Sequence, residues 1–180
     1  MGDTIYYAEV DSPIGTLLLA ATDEGLCRID FGGYADHAEE LAAWTKRYRP
    51  GAEWTRGPEH PGLHVAAVQL AEYFAGGRQS FELRLNLWGT PFQTKVWQAL
   101  TEVPFGEVCS YKYIAEAIGQ PKAVRAVGGA NNRNPIPVIV PCHRVIGASG
   151  EMVGYGGGLA IKRHLLDLEK GRRQSRNDGV

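Results

Sequence analysis

Asn134-Pro135-Ile136-Pro137-Val138-Ile139-Val140-Pro141-Cys142-His143-Arg144-Val145 is where the fold and the chemistry of this chain meet. Asn134-Pro135-Ile136-Pro137 cannot be helical, because proline lacks the amide donor and disfavours a helical residue before it. An apolar run, Ile136 to Val140, then delivers a thiol directly before an imidazole, between a rigid proline and a cation. Only a thiolate is a good sulfur nucleophile, and a nearby His or Arg lowers a cysteine pKa from about 8.5 toward about 3.5–7.5. A buried cysteine beside a histidine is also what plain packing produces. The flanking residues tip the balance toward a reactive thiol.

Upstream of this stretch, Thr90, Pro91 and Gln93 fit the N-cap, N1 and N3 positions of a helix over 91–101 that would bury Phe92, Val96 and Leu100. Ser110 caps a short helix through Ile118, Gly119-Gln120-Pro121 turns the chain, and a further helix spans about Lys122–Asn131. Two short helices around a glycine turn match helix-turn-helix geometry. Downstream, Gly154-Tyr155-Gly156-Gly157-Gly158 reads as a flexible loop. A last helix follows from Leu159 to about Lys170, packing Ile161, Leu165 and Leu168, and residues 171–180 read as a disordered polar tail.

The first 88 residues read as a separate sheet-and-helix unit. Ile5–Val10 and Thr16–Ala21 flank the turn Asp11-Ser12-Pro13-Ile14-Gly15, and Leu26–Phe31 adds a third strand. Asp36 and Glu39 form a capping-box-like pair before a helix through about Tyr48. A second helix runs from about Leu63 to Phe74 and ends at Gly76-Gly77. Phe81, Leu83, Leu85 and Leu87 alternate with polar residues, the pattern of a half-buried strand. The boundary falls near Trp88-Gly89-Thr90-Pro91.

The chain has 180 residues, 44% of them hydrophobic, enough for one domain or two small ones. Its net charge of −1 hides an asymmetry. Residues 1–88 hold 7 Lys/Arg against 13 Asp/Glu, a net of −6, and residues 89–180 hold 12 against 7, a net of +5. A basic second half can meet a polyanion. Three cysteines (Cys27, Cys109 and Cys142) without regular spacing argue against a disulfide framework and suit a reducing compartment. No basic-then-apolar leader pattern occurs, and no run approaches the ~18 apolar residues of a membrane span. The expectation is a soluble, cytoplasmic protein, or a nuclear one in a eukaryote, with no membrane partner.

The cysteine motif and its surroundings resemble the O6-alkylguanine-DNA alkyltransferases. Phe105-Gly106-Glu107-Val108, Ser110-Tyr111, Ala126-Val127-Gly128-Gly129-Ala130, Asn134-Pro135, Val145-Ile146-Gly147 and Tyr155 through Leu159 are similar to that family in the same order. The likeness is strong over about residues 88–170. It is looser before that, through Asp11-Ser12-Pro13-Ile14-Gly15 and Tyr73-Phe74-Ala75-Gly76. The resemblance implies an α/β protein of two domains. Residues 1–88 would be a small ribonuclease-H-like sheet and helix domain. Residues 89–170 would be a mostly helical winged helix-turn-helix domain that binds DNA and accepts the alkyl group.

The resemblance also implies a role for each matching residue. Cys142 would take the alkyl group from O6-alkylguanine, or more weakly from O4-alkylthymine, in one irreversible turnover. His143 would act as base through a water, with Glu169 orienting the ring, a Cys-His-Glu version of triad logic. Tyr111 would donate a proton to the guanine leaving group, although on sequence alone Tyr113 is as good a candidate. Asn134 would brace the turn that carries the site. Arg125 would fill the gap left by the extruded base, with Ala126 and Gly128 allowing close approach to the minor groove. Val145, Tyr155, Gly156 and Gly157 would line the base pocket. No cofactor is implied. Some relatives bind zinc in the first domain, but Cys27 is the only cysteine there and Thr22 stands where a ligand cysteine is expected, so no metal is expected. The expected partner is double-stranded DNA, bound in the minor groove largely without regard to sequence, by a monomer.

Two other classes remain open at this point. A cysteine hydrolase built on Cys142, His143 and Glu169 would turn over many times. A DNA-binding regulator with a structural or sensing cysteine would bind a defined sequence and leave Cys142 unmodified.

Overall fold

The computed structural model describes residues 3–152 and 154–177, with side chains through residue 171. The chain divides between Trp88 and Gly89 into two compact units.

The first unit is built on a four-stranded sheet in the order β3-β2-β1-β4. Strands β1 (Thr4–Val10) and β2 (Leu17–Thr22) form an antiparallel hairpin, and β3 (Gly25–Phe31) pairs antiparallel with β2. Ser12 and Gly15 exchange backbone hydrogen bonds of 3.1 and 3.0 Å to close the hairpin. Helix α1 (Tyr34–Tyr48) then leads to β4 (Glu53–Arg56), which lies parallel to β1. The sequence reading missed β4, a four-residue strand too short and too polar to show alternation.

Every residue of β2 is buried, which requires cover on both faces of the sheet. Helix α2 (Pro61–Phe74) covers one face, burying Leu63, Ala66 and Leu70. On the other face Ile5, Ala20, Cys27 and Trp88 pack with Tyr7, Trp44, Tyr48 and Trp54.

Two local expectations are corrected here. The cap of α1 is Gly33, with Asp36 at N3 reaching back to accept from the Gly33 amide at 2.8 Å, so Asp36 is not the first residue of a box with Glu39. The alternating segment 81–87 is no regular strand. It meets β3 only at Leu26, whose amide donates to Arg84 at 2.9 Å and whose carbonyl accepts from Asn86 at 2.7 Å. Before that point the Gln69 side chain satisfies both backbone groups of Glu82, at 2.9 and 3.1 Å, in place of a neighbouring strand.

The second unit is mostly helical. Helix α3 (Pro91–Thr101) begins as the sequence predicts: Thr90 caps the Gln93 amide at 3.1 Å and Gln93 returns the bond at 3.0 Å. Its buried residues are Val96, Trp97 and Leu100, whereas Phe92 is only partly covered. Trp97 takes the central place because its indole nitrogen donates to the Ala130 carbonyl at 2.9 Å, joining α3 to α5. Gly89 is required beside it, since any Cβ there would run into the indole ring.

Strand β5 (Cys109–Ser110) is followed by α4 (Tyr111–Ala117), capped by Ser110 on the Tyr113 amide at 3.0 Å. Gly119, at φ +75°, makes the turn. Helix α5 (Val124–Asn132) starts two residues later than predicted and packs on both α3 and α4. Strand β6 (Val145–Ile146) pairs parallel with β5, which fixes the end of the cysteine segment beside the start of α4.

Helix α6 runs from Leu159 to Asn177, well past the predicted end at Lys170, so residues 171–177 of the expected polar tail are helical. Residues 178–180 lie outside the described residues, and so do the side chains of Arg172, Arg173 and Arg176. The buried stripe of α6 also differs from the predicted one. Lys162, Leu165 and Glu169 are fully buried, while Ile161 and Leu168 are only partly so. The hydrophobic period pointed one residue aside because two of the three inward side chains are charged and answer polar partners. No helix among the described residues is long and apolar enough to cross a membrane.

Candidate active site

Cys142 opens a single 3₁₀ turn, Cys142–Arg144, at the end of a folded-back segment. Asn134 holds that segment closed. Its Nδ2 donates to the Val140 carbonyl at 2.8 Å and its Oδ1 accepts from the Ile136 amide at 3.0 Å. Inside this clamp Val138, buried, adopts φ +73°. A β-branched residue in the left-handed region costs about 1–3 kcal/mol, so the surroundings must impose the conformation. Asn134→Ala removes both bonds and is expected to cost about 2–4 kcal/mol in urea unfolding, since each orphaned backbone group costs about 1–3 kcal/mol. A variant within about 0.5 kcal/mol of the parent, the range of ordinary surface changes, contradicts the clamp.

Cys142 is 3% exposed, and burial pushes its thiol up to about 11. A hydrogen bond from Asn134, the charge of Lys162 and a hydrogen bond from Tyr155 act in the opposite direction but do not prevail. The resting group is therefore a neutral thiol. This corrects the expectation that the adjacent histidine and arginine lower it, because both side chains turn to Glu169 instead. His143 Nε2 lies 2.8 Å from Glu169 Oε1. Arg144 donates from Nε to Oε2 at 3.0 Å and from Nη2 to Oε1 at 2.8 Å, and its Nη1 donates to the Val103 carbonyl at 2.6 Å. The Phe105 ring sits 5.8 Å from the guanidinium carbon.

Electrostatics assign the protons. Burial alone would raise the Glu169 carboxyl, but the hydrogen bonds from His143 and Arg144 outweigh it and hold the group at about 2. His143 is fully buried, and burial lowers its pKa despite Glu169. A neutral imidazole facing an ionised carboxylate donates from Nε2 and keeps Nδ1 as a bare acceptor. Nδ1 is buried and has no hydrogen-bond partner in the protein. The cluster thus sets a neutral thiol next in sequence to an imidazole whose free nitrogen can take a proton, and a fixed carboxylate can stabilise the imidazolium that results.

The remaining predicted residues fall around this cluster. Tyr111 is half-buried, and burial first and the charge of Cys142 second raise its phenol. Its ring is 3.9 Å from where a Cβ on Gly128 would lie. Tyr113 is 57% exposed, so the geometry separates two tyrosines that the sequence could not. Arg125 and Ala126 are exposed on α5. Val145 is buried, and its carbonyl accepts from Lys162 Nζ at 2.6 Å. Tyr155 buries its hydroxyl, while Gly156 is exposed and Gly157 half-buried on the loop before α6. Among the described residues no group of three or more His, Cys, Asp or Glu is arranged to hold a metal ion.

Two family models account for both units. The ribonuclease-like domain of 6-O-methylguanine DNA methyltransferase matches residues 5–87, and the DNA binding domain of the same protein matches residues 91–171. The chain belongs to the 6-O-methylguanine DNA methyltransferase family. A methylated-DNA–protein-cysteine methyltransferase of Methanosarcina barkeri is 47% identical over 92% of this chain and 98% of that protein. The constitutive enzyme of that name from Bacillus subtilis is 45% identical over 92% and 95%. Among solved structures, Mycobacterium tuberculosis OGT in complex with DNA superposes with a TM-score of 0.77 at 45% identity, covering 93% of this chain and 94% of that one.

Within this family fold, the sequence reading missed two partners in the cluster. In the sequence Arg144 stands out only as a flanking cation, and Lys162 does not stand out on its own. The signal for Lys162 was available, because Lys162, Leu165 and Glu169 stand at the i, i+3, i+7 spacing of one helical face.

Proposed function

We propose that the protein repairs alkylated DNA by direct reversal, taking the alkyl group from O6-alkylguanine onto Cys142. The observation that carries this reading is the buried Cys142–His143–Glu169–Arg144 cluster within the matching motif. Relatives that cover nearly the whole chain carry the name methylated-DNA–protein-cysteine methyltransferase.

The reaction follows from the groups present. The neutral thiol gives its proton to His143 Nδ1 through a bridging water, and Glu169 stabilises the charged ring. The sulfur lone pair then attacks the alkyl carbon, and the carbon–oxygen bond breaks with its electrons passing to guanine. Tyr111 supplies a proton to the departing base. The carbonyls of Cys142 and Val145 accept from the guanine amino group; that of Val145 also accepts from Lys162. The product is a thioether, which no group in the cluster is suited to cleave, so each molecule acts once. O4-alkylthymine is a weaker substrate.

A target atom inside the duplex must first be extruded, at a few kcal/mol. Arg125, exposed near the start of α5, fills the vacated space. Ala126 and Gly128 let the helix approach a minor groove read by width rather than sequence. Tyr155, Gly156 and Gly157 form one wall of the base pocket. The protein acts as a cytoplasmic monomer without a cofactor.

The direct test is intact-mass spectrometry after mixing excess protein with a duplex containing O6-methylguanine, followed by peptide mapping. One added methyl on Cys142 per lesion lost is the expected result. Lesion binding without a mass change makes the protein a damage sensor, and no binding at all reopens the hydrolase reading. For Arg125→Ala, repair of duplex DNA should fall by about 10²-fold, the equivalent of a few kcal/mol of extrusion, while binding to undamaged duplex falls much less. Equal losses in both would remove the finger role.

A further inference from the structure

Lys162 is an unusual residue to find at the centre of a helix face. It is fully buried on α6, between the pocket loop and Glu169. Its amide donates to the Gly158 carbonyl at 3.2 Å and its Nζ to the Val145 carbonyl at 2.6 Å. Removing an ammonium from water is costly, and an aliphatic residue would fill such a site without that cost. Glu169, two turns further along the same face, is already engaged by Arg144 and His143.

Val145 closes the reactive turn, its amide donating to the Cys142 carbonyl, so the bond to Val145 holds the ammonium of Lys162 at the turn that carries the thiol. Burial lowers the pKa of the ammonium and Cys142 raises it; reciprocally, Lys162 is among the influences that lower Cys142. The cluster around the thiol is otherwise balanced: Glu169 is offset by Arg144, and His143 is neutral at rest. When the thiol loses its proton, the new negative charge is opposed by the ammonium held on Val145.

We propose that Lys162 is a positioning residue for alkyl transfer, whose ammonium, fixed on the Val145 carbonyl, stabilises the Cys142 thiolate as it forms. The same bond braces the strand end next to the reactive turn. The role rests on Cys142 being the alkyl acceptor, and it is separable from DNA binding and base extrusion, because the thiol can be methylated by a small reagent. With iodomethane the sulfur loses its proton, forms the sulfur–carbon bond, and iodide leaves with the bonding pair.

The experiment follows Cys142 methylation by iodomethane in the full chain from pH 6 to 10, read by peptide mass mapping. Lys162→Met should shift the pH dependence upward by about one unit or more and slow the reaction about tenfold or more at neutral pH, since one pKa unit is a tenfold change in thiolate. Lys162→Arg should retain most of the parental profile. A folded Met variant with the parental pH profile overturns the proposal and leaves Lys162 a structural residue. A second variant separates charge from hydrogen bonding: Lys162→Gln keeps a donor for the Val145 carbonyl but carries no charge, so it should show the same upward shift as Lys162→Met. A parental profile in a folded Gln variant also overturns the proposal. Failure to repair an O6-methylguanine duplex, with these shifts present, would count against the DNA substrate and not against Lys162.

Discussion

Cys142→Ala is expected to abolish alkyl transfer outright while leaving the protein able to bind a duplex that carries O6-methylguanine. In the proposed reaction the other groups of the cluster manage protons or charge, and none is as soft a nucleophile toward an alkyl carbon as the sulfur. His143 has its Nε2 committed to Glu169, and in the proposed reaction its Nδ1 serves as the base. The other two cysteines do not substitute. Burial pushes Cys27 up to about 12 and Cys109 up to about 11, and neither has a base beside it in sequence. The change removes one buried sulfur and the bonds it receives from Asn134 and Tyr155, but leaves the bonds of Asn134 to Val140 and Ile136 and the pair of Arg144 and Glu169 intact, so its cost to stability should be about 1 kcal/mol. Mass mapping and an electrophoretic shift on the same duplex check both halves. Residual methylation of the variant at another cysteine would remove Cys142 from its role.

Glu169→Gln should be the most damaging single change to the second unit. The carboxylate receives hydrogen bonds from His143 and from two nitrogens of Arg144, and it is 1% exposed. Glutamine keeps the shape but removes the charge, leaving a buried guanidinium without its counter-ion. Breaking a buried pair from one side costs about 3–5 kcal/mol, which should lower the unfolding midpoint of this unit by on the order of 10 °C or more. Repair should fall as well, because the imidazolium loses the charge that stabilises it.

The pH dependence has a definite sign. Glu169 is held at about 2 against an ordinary value of 4.5, so its contribution, about 3 kcal/mol, is fully present above pH 4.5 and is lost as pH falls toward 2. His143, whose pKa is lowered, adds stability above its ordinary value of 6.5 that is also lost as pH falls. The stability gap between parent and Glu169→Gln should therefore be constant near neutrality and close on the acid side of 4.5. Urea melts at several pH values test this; a gap that persists to pH 2.5 would mean that the carboxylate is not ionised by its partners.

Local signals in the sequence were the more reliable ones, although the cap of α1 lay at Gly33 and not at Asp36. Thr90 with Gln93, and Ser110, were readable as caps because a cap depends on residues three positions apart. The two-part division at Trp88 was readable from the shift in charge and the turn residues after it. Longer-range facts were less visible. Segment 81–87 had a strand's alternation, but a strand needs a partner along its length, and β3 offers one only at Leu26. At the site, Cys142 and His143 stand in the motif itself, whereas Glu169, which lies 2.8 Å from His143, was legible only through the family resemblance. The neutrality of the thiol was not, because it depends on burial and on which way the neighbouring cations point. Hydrophobic periodicity likewise placed Ile161 and Leu168 inward on α6, where the true inward face carries Lys162 and Glu169, charged residues that such a pattern counts as solvent-facing.

The sheet of the first unit also bears on what becomes of the protein after use. On the proposed single turnover, each repaired lesion leaves one alkylated molecule behind, and such molecules accumulate in proportion to damage. An open strand edge on them would be a template for cross-β association. One edge of this sheet, β3, meets residues 84–86 at Leu26 and carries the ion pair of Arg28 and Asp30 at 2.7 Å. The other edge, β4, is only four residues long and exposes Glu53 and Arg56 at its two ends. Neither edge offers the long, flat, uncharged run that recruits a strand from another copy, so neither edge of this sheet is a ready-made seed for aggregation.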